Sequence, residues 1–108
     1  MNPRDRFPFS DDWSAFQRDG RIRVKGKIRN IYDDLKKWNV PPLKDQYTVT
    51  LEPKPDRPPT YYLKFRTKEE LRALSFTEGK SADIEGDLTE YSKQGVTKHI
   101  LTNVKRTH

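Results

Sequence analysis

Arg21-Ile22-Arg23-Val24-Lys25-Gly26-Lys27-Ile28-Arg29 alternates basic residues with apolar or glycine positions, without a break. A period of two places Ile22, Val24, Gly26 and Ile28 on one face and the cations on the other, the pattern of a half-buried β-strand. Glycine in the middle of such a run marks a bend, a bulge or a close backbone approach. The stretch therefore reads as one strand shared between two halves of a curled sheet, which makes the rest of the chain a search for its partners.

Those partners follow in order. Tyr47-Thr48-Val49-Thr50-Leu51 alternates in the same way and ends at Pro53-Lys54-Pro55-Asp56-Arg57-Pro58-Pro59, where proline removes the amide donors a ladder needs. This proline loop has the composition of a stiff connector. Tyr61-Tyr62-Leu63-Lys64-Phe65-Arg66 predicts a third strand, with Tyr61, Leu63 and Phe65 inward and Tyr62, Lys64 and Arg66 outward. At Thr67 the period becomes helical. Thr67 and Glu70 form a capping-box pattern, Leu71, Leu74 and Phe76 supply an apolar stripe, and Gly79 closes a helix of about nine residues. Ala82-Asp83-Ile84-Glu85-Gly86-Asp87-Leu88 predicts the fourth strand, Ser92-Lys93-Gln94-Gly95 a turn, and His99 to Val104 the fifth. Upstream, Ser10 can cap a short helix reaching about Arg18, with Asp11 and Asp12 in its first turn and Gly20 at its end. Trp13 and Phe16 would share one face of that helix and pack it on the domain, so residues 1–20 read as an arm and residues 21–108 as the domain proper.

Composition bounds what such a domain can do. The chain has 108 residues, 35% charged and 31% hydrophobic, with 22 Lys and Arg against 16 Asp and Glu, for a net charge of +6. One domain with one modest core is all this length supports. No window approaches eighteen uninterrupted apolar residues and the first residues are charged, so the expectation is a soluble, cytoplasmic protein without a membrane partner. The absence of cysteine excludes disulfides, thiolate metal sites and thiol nucleophiles. The positive balance favours a polyanionic partner.

Strand, strand, strand, helix, strand, strand resembles the order of the OB-fold, the five-stranded Greek-key barrel of many oligonucleotide and oligosaccharide binders. The opening run from Arg21 to Ile28 resembles the first strand of nucleic-acid-binding OB domains. Gly79-Lys80-Ser81-Ala82-Asp83-Ile84-Glu85-Gly86-Asp87-Leu88 resembles their fourth strand, and Ile100-Leu101-Thr102-Asn103-Val104 their last. The likeness covers about residues 21–105, is one of architecture and loose pattern, and is closest in style to the single-stranded-DNA-binding and tRNA-anticodon-binding-like groups.

That resemblance implies a core of Ile22, Val24, Ile28, Val49, Leu51, Leu63, Phe65, Ile84, Leu88, Ile100 and Val104, and a ligand face on the second and third strands. Tyr62, Lys64 and Arg66 would lie there beside Thr48 and Thr50. A long first loop, Asn30 to Gln46, would add Tyr32, Lys36, Lys37, Trp38 and Lys44, and the last loop Tyr91, Lys93 and Lys98. Cations interleaved with aromatic rings suit a single strand, whose phosphates need positive charge and whose unpaired bases have flat faces to stack. Tyr62, Trp38, Tyr91 and Tyr32 are thus the candidate stacking residues. Lys64, Arg66, Lys27, Arg29, Lys36, Lys37, Lys93 and Lys98 are the candidate phosphate contacts. Trp38, beside Pro41 and Pro42, suits either a base or its own loop as a partner. Arg21, Arg23 and Lys25 face Asp83, Glu85 and Asp87 on the neighbouring strand and are expected in cross-strand ion pairs.

Catalytic chemistry is hard to find. Gly79-Lys80-Ser81 matches the end of a phosphate-binding loop, but the required glycine five residues earlier is Leu74. Asp11-Asp12 and Asp33-Asp34 are adjacent pairs whose side chains diverge, so neither makes a metal or acid–base site alone; a metal-dependent nuclease built on Asp33, Asp34 and Arg66 is the weakest of the readings. His99 begins the last strand, where a surface role is the simpler one. The expectation is a non-enzymatic protein without cofactor or metal that binds single-stranded nucleic acid, DNA before RNA, with little sequence preference. The alternative is a subunit or adaptor in a replication, repair or translation assembly, gripping a protein through the amino-terminal helix or the proline loop.

Overall fold

The computed structural model describes residues 13–107, apart from the side chains of residues 17–19. Five strands and one helix follow in the order β1 (Ser14–Tyr32), β2 (Tyr47–Glu52), β3 (Tyr61–Phe65), α1 (Lys68–Ala73), β4 (Ser81–Lys93) and β5 (Val96–Arg106). The strands close into a barrel ordered β1-β2-β3-β5-β4, compatible with an OB-fold-like barrel. β3 and β5 run parallel and every other neighbouring pair is antiparallel.

Closure depends on β1. Its residues up to Lys27 pair with β4 and those from Lys27 onward with β2, so the strand serves two walls and must turn a corner between them. Gly26 lies at that corner. A Cβ there would stand 2.6 Å from the Glu52 carbonyl oxygen and 2.7 Å from Leu51 Cδ2, so only glycine lets the walls meet. Just beyond, a bulge at Arg29 shifts the register between Ile28 and Asn30. The added residue reverses the alternation, so Ile28 and Ile31 both pack on the core and Tyr32 faces outward.

The helix is shorter than its stripe predicts. Thr67 Oγ1 accepts from the Glu70 N–H at 3.1 Å while Glu70 Oε2 accepts from the Arg66 N–H at 3.2 Å, a capping box shifted by one residue at its return bond. Leu71 anchors the helix in the barrel, and Ser75, at φ 51°, ends it well before Gly79. The Arg106 guanidinium then donates to the Leu74 and Ser75 carbonyls at 2.8 and 3.2 Å, satisfying two acceptors the short helix leaves open.

Two expectations are corrected. Ser10, Asp11 and Asp12 of the expected amino-terminal helix lie outside the described residues, but from Ser14 the chain is already β1, paired with β4 through Ser14↔Ser92 and Phe16↔Glu90. Trp13 is buried while Phe16 is 62% exposed. Residues three apart share a helical face but take opposite faces of extended chain, and the longer β4 supplies a ladder that a short helix could not match. The second correction concerns β5. Leu101, not Ile100, fills the barrel, yet Val104 packs on the same core. Between the pairs Glu85↔Lys105 and Asp87↔Thr102, Asn103 and Val104 stand against Gly86 alone; this bulge, with Asn103 at φ 52°, reverses the phase of the strand. Asparagine tolerates that left-handed conformation, and its Nδ2 donates to Asp87 Oδ2 at 2.8 Å.

Ile100 instead joins a second cluster outside the barrel, with Trp13, Leu43 and Tyr91, against which Tyr62 packs. Leu43 comes from the loop joining β1 to β2, and Trp13 is the residue just before β1. Each buried side chain of this kind contributes about 1.5–3 kcal/mol, so the loop is held down by the outer wall.

Candidate nucleic-acid interface

The outer surface of β2 and β3 is where the sequence places a ligand, and the loop 33–46 covers much of it. Thr48, Thr50 and Lys64 are all buried, and the loop, whose Val40 and Leu43 are themselves buried, reaches over Lys64 through the Val40 carbonyl. Local hydrogen bonds shape this cover. Asp34 Oδ1 accepts from the Lys36 N–H at 2.8 Å and the Asp34 carbonyl from the Lys37 N–H at 3.0 Å, an Asx-type turn, while Asn39 Oδ1 accepts from the Asp45 N–H at 2.8 Å and draws the end of the loop together. Asp34 is thus a turn former.

Lys64 points outward from the barrel as alternation requires, but it is only 3% exposed. Its ammonium donates to Thr48 Oγ1 at 2.8 Å and to the Val40 carbonyl at 3.3 Å, with no carboxylate in its bonded set. Burial, and after it the charge of Lys98, pulls its pKa down to about 7. A phosphate cannot touch this amine without lifting the loop, so the expected contact is corrected. Tyr91 is corrected for the same reason: it is 1% exposed, within the outer cluster, and burial pushes its hydroxyl up to about 12. Neither face of its ring is open to a base. It also lies in β4, because the expected last loop is only the turn at Gln94 and Gly95, both at positive φ as a tight hairpin requires.

What remains open is an aromatic ledge at the end of β1. Tyr32 and Trp38 stack with ring centroids 5.0 Å apart and planes 16° from parallel, and Trp38 is 39% exposed. Trp38 therefore does both things its loop position allowed: one face packs on Tyr32 and the indole still meets solvent. Tyr62, half-buried, adjoins this pair. Burial, and after it the Tyr32 phenol, raises the Tyr62 hydroxyl above its ordinary range. Lys36 and Lys37 beside the ledge are exposed.

The other candidate cations are scattered. Lys27 is exposed on β1. Arg29 is engaged, 3.7 Å from Glu52 Oε1 and 3.8 Å from Asp56 Oδ1. Lys98 lies 5.3 Å from the centre of the Trp13 ring, and burial lowers its pKa. Lys93 is half-buried near the hairpin, and Arg66 is exposed beside α1. His99 meets the edge of Tyr61 at 5.6 Å, a packing role. Arg21 pairs with Asp87 at 3.3 Å and Arg23 with Asp83 through two bonds of 2.9 Å, two of the three cross-strand pairs the alternation of β1 and β4 implied; Lys25 makes no ion pair among the described residues. Asp83 holds the Arg23 guanidinium above its ordinary range. Among the described residues no group of three or more His, Asp or Glu is placed to hold a metal ion.

Sequence reasoning missed the burial of Lys64 and a cleft at the other end of β3, beside α1, lined in part by Gln46 and Lys105. Alternation says which side of a sheet a residue faces, but not what chain lies over it. No family model, curated protein or solved structure matches this chain.

Proposed function

We propose that the protein is an OB-fold-like module that binds single-stranded nucleic acid without catalysis and with little sequence preference, DNA before RNA, using the Tyr32–Trp38 ledge as its stacking platform. The observation that carries this reading is that ledge: two stacked rings with an exposed indole, flanked by Lys36 and Lys37. A stack of two rings offers a third flat ring a continuation, and each base–aromatic contact is typically worth about 1–3 kcal/mol. The barrel order with a helix between β3 and β4 supports the OB assignment. Tyr62 borders the ledge and can extend it.

Fluorescence anisotropy of labelled dT and rU oligomers at low salt tests the proposal directly. Binding at micromolar protein that falls about tenfold in Trp38→Ala supports it. Absence of binding at that concentration, or indifference to Trp38→Ala, defeats it. A protein-contact role is the second reading, favoured by the exposure of Phe16 on β1. It predicts a stable hetero-complex that Phe16→Ser weakens, alongside indifference to oligonucleotides.

A further inference from the structure

Between α1 and the adjacent ends of β3 and β5 lies a cleft of about 740 Å³ that shares no residue with the Tyr32–Trp38 ledge. Its volume falls in the range of small-molecule sites, about 300–1,000 Å³. Three kinds of surface line it. Phe65, Leu74 and Val104 give apolar walls. Gln46 is only 4% exposed, yet it borders the cleft, and its amide has no hydrogen-bond partner among the described residues. The amide is not sealed from solvent, since Glu52 Oε1 is the one buried side-chain polar atom without a hydrogen-bond partner among the described residues, so the amide stays available to a polar group that enters the cleft. At the lip stand Arg66 and Lys105, both exposed and with side-chain charges unpaired among the described residues.

These features are placed by the fold. β3 and β5 are parallel neighbours, with Leu63 opposite Leu101, so their carboxyl ends emerge side by side and bring Arg66 and Lys105 to one lip. The Arg106 bonds to Leu74 and Ser75 fix the α1 wall, so the cleft is preformed. Glu70, the acid on the same lip, accepts from the Arg66 backbone N–H and is thereby drawn to the helix cap.

We propose that this cleft binds one mononucleotide unit, with the base between the apolar walls, its hydrogen-bonding edge on the Gln46 amide, and its phosphate at Arg66 and Lys105. An amide carries a donor and an acceptor side by side, the complement of the paired groups on a base edge. A flat heterocycle suits apolar walls, and two cations suit a phosphate. A free nucleotide and the 5′-phosphorylated end of a strand present the same groups.

Nuclear magnetic resonance titration of the full chain with AMP, adenosine, inorganic phosphate and the 5′-phosphorylated dinucleotide of deoxyadenosine tests this site. The expected result is saturable shifts at the amides of Gln46, Arg66, Leu74 and Lys105 with AMP, the dinucleotide or both. Saturation by AMP assigns a free ligand, and saturation by the dinucleotide alone assigns a strand end. Adenosine and phosphate should each bind at least about tenfold more weakly, and Arg66→Ala and Lys105→Ala should each weaken binding by about tenfold. Gln46→Met should weaken AMP by about tenfold while leaving phosphate unchanged, the apolar walls still holding the base; if that variant does not fold, the two exposed cations still decide the matter. No shifts at millimolar ligand, phosphate binding as tightly as AMP, or indifference to both cation variants would overturn the assignment. Trp38→Ala should leave these shifts unchanged, so failure here and failure of the ledge are separate outcomes.

Discussion

Replacing Lys64 by methionine should stabilise this protein near neutral pH and leave it almost unchanged near pH 9. The amine titrates at 10.5 in an unfolded chain and at about 7 beneath the loop, because burial and then Lys98 disfavour its charged form. That displacement is equivalent to about 5 kcal/mol. Between those two values the unfolded chain holds a proton the folded chain has released, so the wild-type protein gains stability as pH rises from about 7 towards 10.5. Below about 7 both states are protonated and the whole penalty applies. From pH 7 to pH 9 the gain from this one group is about 2 kcal/mol. Methionine has a similar volume and no charge, but it forfeits the bonds to Thr48 Oγ1 and the Val40 carbonyl, a loss of about 1–2 kcal/mol. At pH 7, relief of about 4 kcal/mol against that loss leaves Lys64→Met more stable by about 2–3 kcal/mol. At pH 9 the two effects nearly cancel. Urea unfolding of both proteins at pH 7, 8 and 9, followed by far-ultraviolet circular dichroism, measures the difference while staying below tyrosine ionisation. A variant less stable than wild type at pH 7, or two curves that stay parallel from pH 7 to 9, would refute the reasoning and show that Lys64 is held charged.

Gly26→Ala should cost at least about 1–3 kcal/mol, the range of overpacking substitutions, because the new methyl meets the backbone of Glu52; a melting temperature within a degree of wild type would count against the corner. Trp13→Ala should lose about 3–5 kcal/mol by opening the outer cluster, read from chemical denaturation. In oligonucleotide titrations across salt concentrations, Lys36→Ala and Lys37→Ala should each lower the salt slope by about 0.7, while Trp38→Ala weakens binding and leaves the slope alone; the opposite assignment of effects would exclude the ledge.

Much of the candidate interface comes from reversals of phase that no alternation can announce. Tyr32 faces outward because a bulge at Arg29 inserts one residue into β1, and Leu101 replaces Ile100 in the barrel because Asn103 does the same in β5. Each bulge answers to the partner strand, through a register that exists only once the sheet has closed. Lys64 illustrates a different limit. Its outward direction follows from Leu63 and Phe65 on either side, but its accessibility depends on Val40 and Leu43, remote in sequence and folded over it.

Local chemistry was enough for most of the elements, though not for residues 14–18, expected as helix and found as the start of β1. The alternation from Arg21 to Arg29, the glycine within it, the cap at Thr67 and Glu70, and the turn at Gln94 and Gly95 are short-range signals, because side-chain period, φ preference and capping bonds are decided within a few residues. They carried five strands, a helix, and the pairing of Arg21 and Arg23 with the acids of β4. Tertiary structure alone decided which outward residues meet solvent. It buried Lys64 and Tyr91 under a loop and an outer cluster, stacked Tyr32 on Trp38, and brought Gln46, Arg66 and Lys105 to one cleft from three separate segments. Burial and convergence depend on what lies across a gap in space, and that is settled by the closing of the barrel.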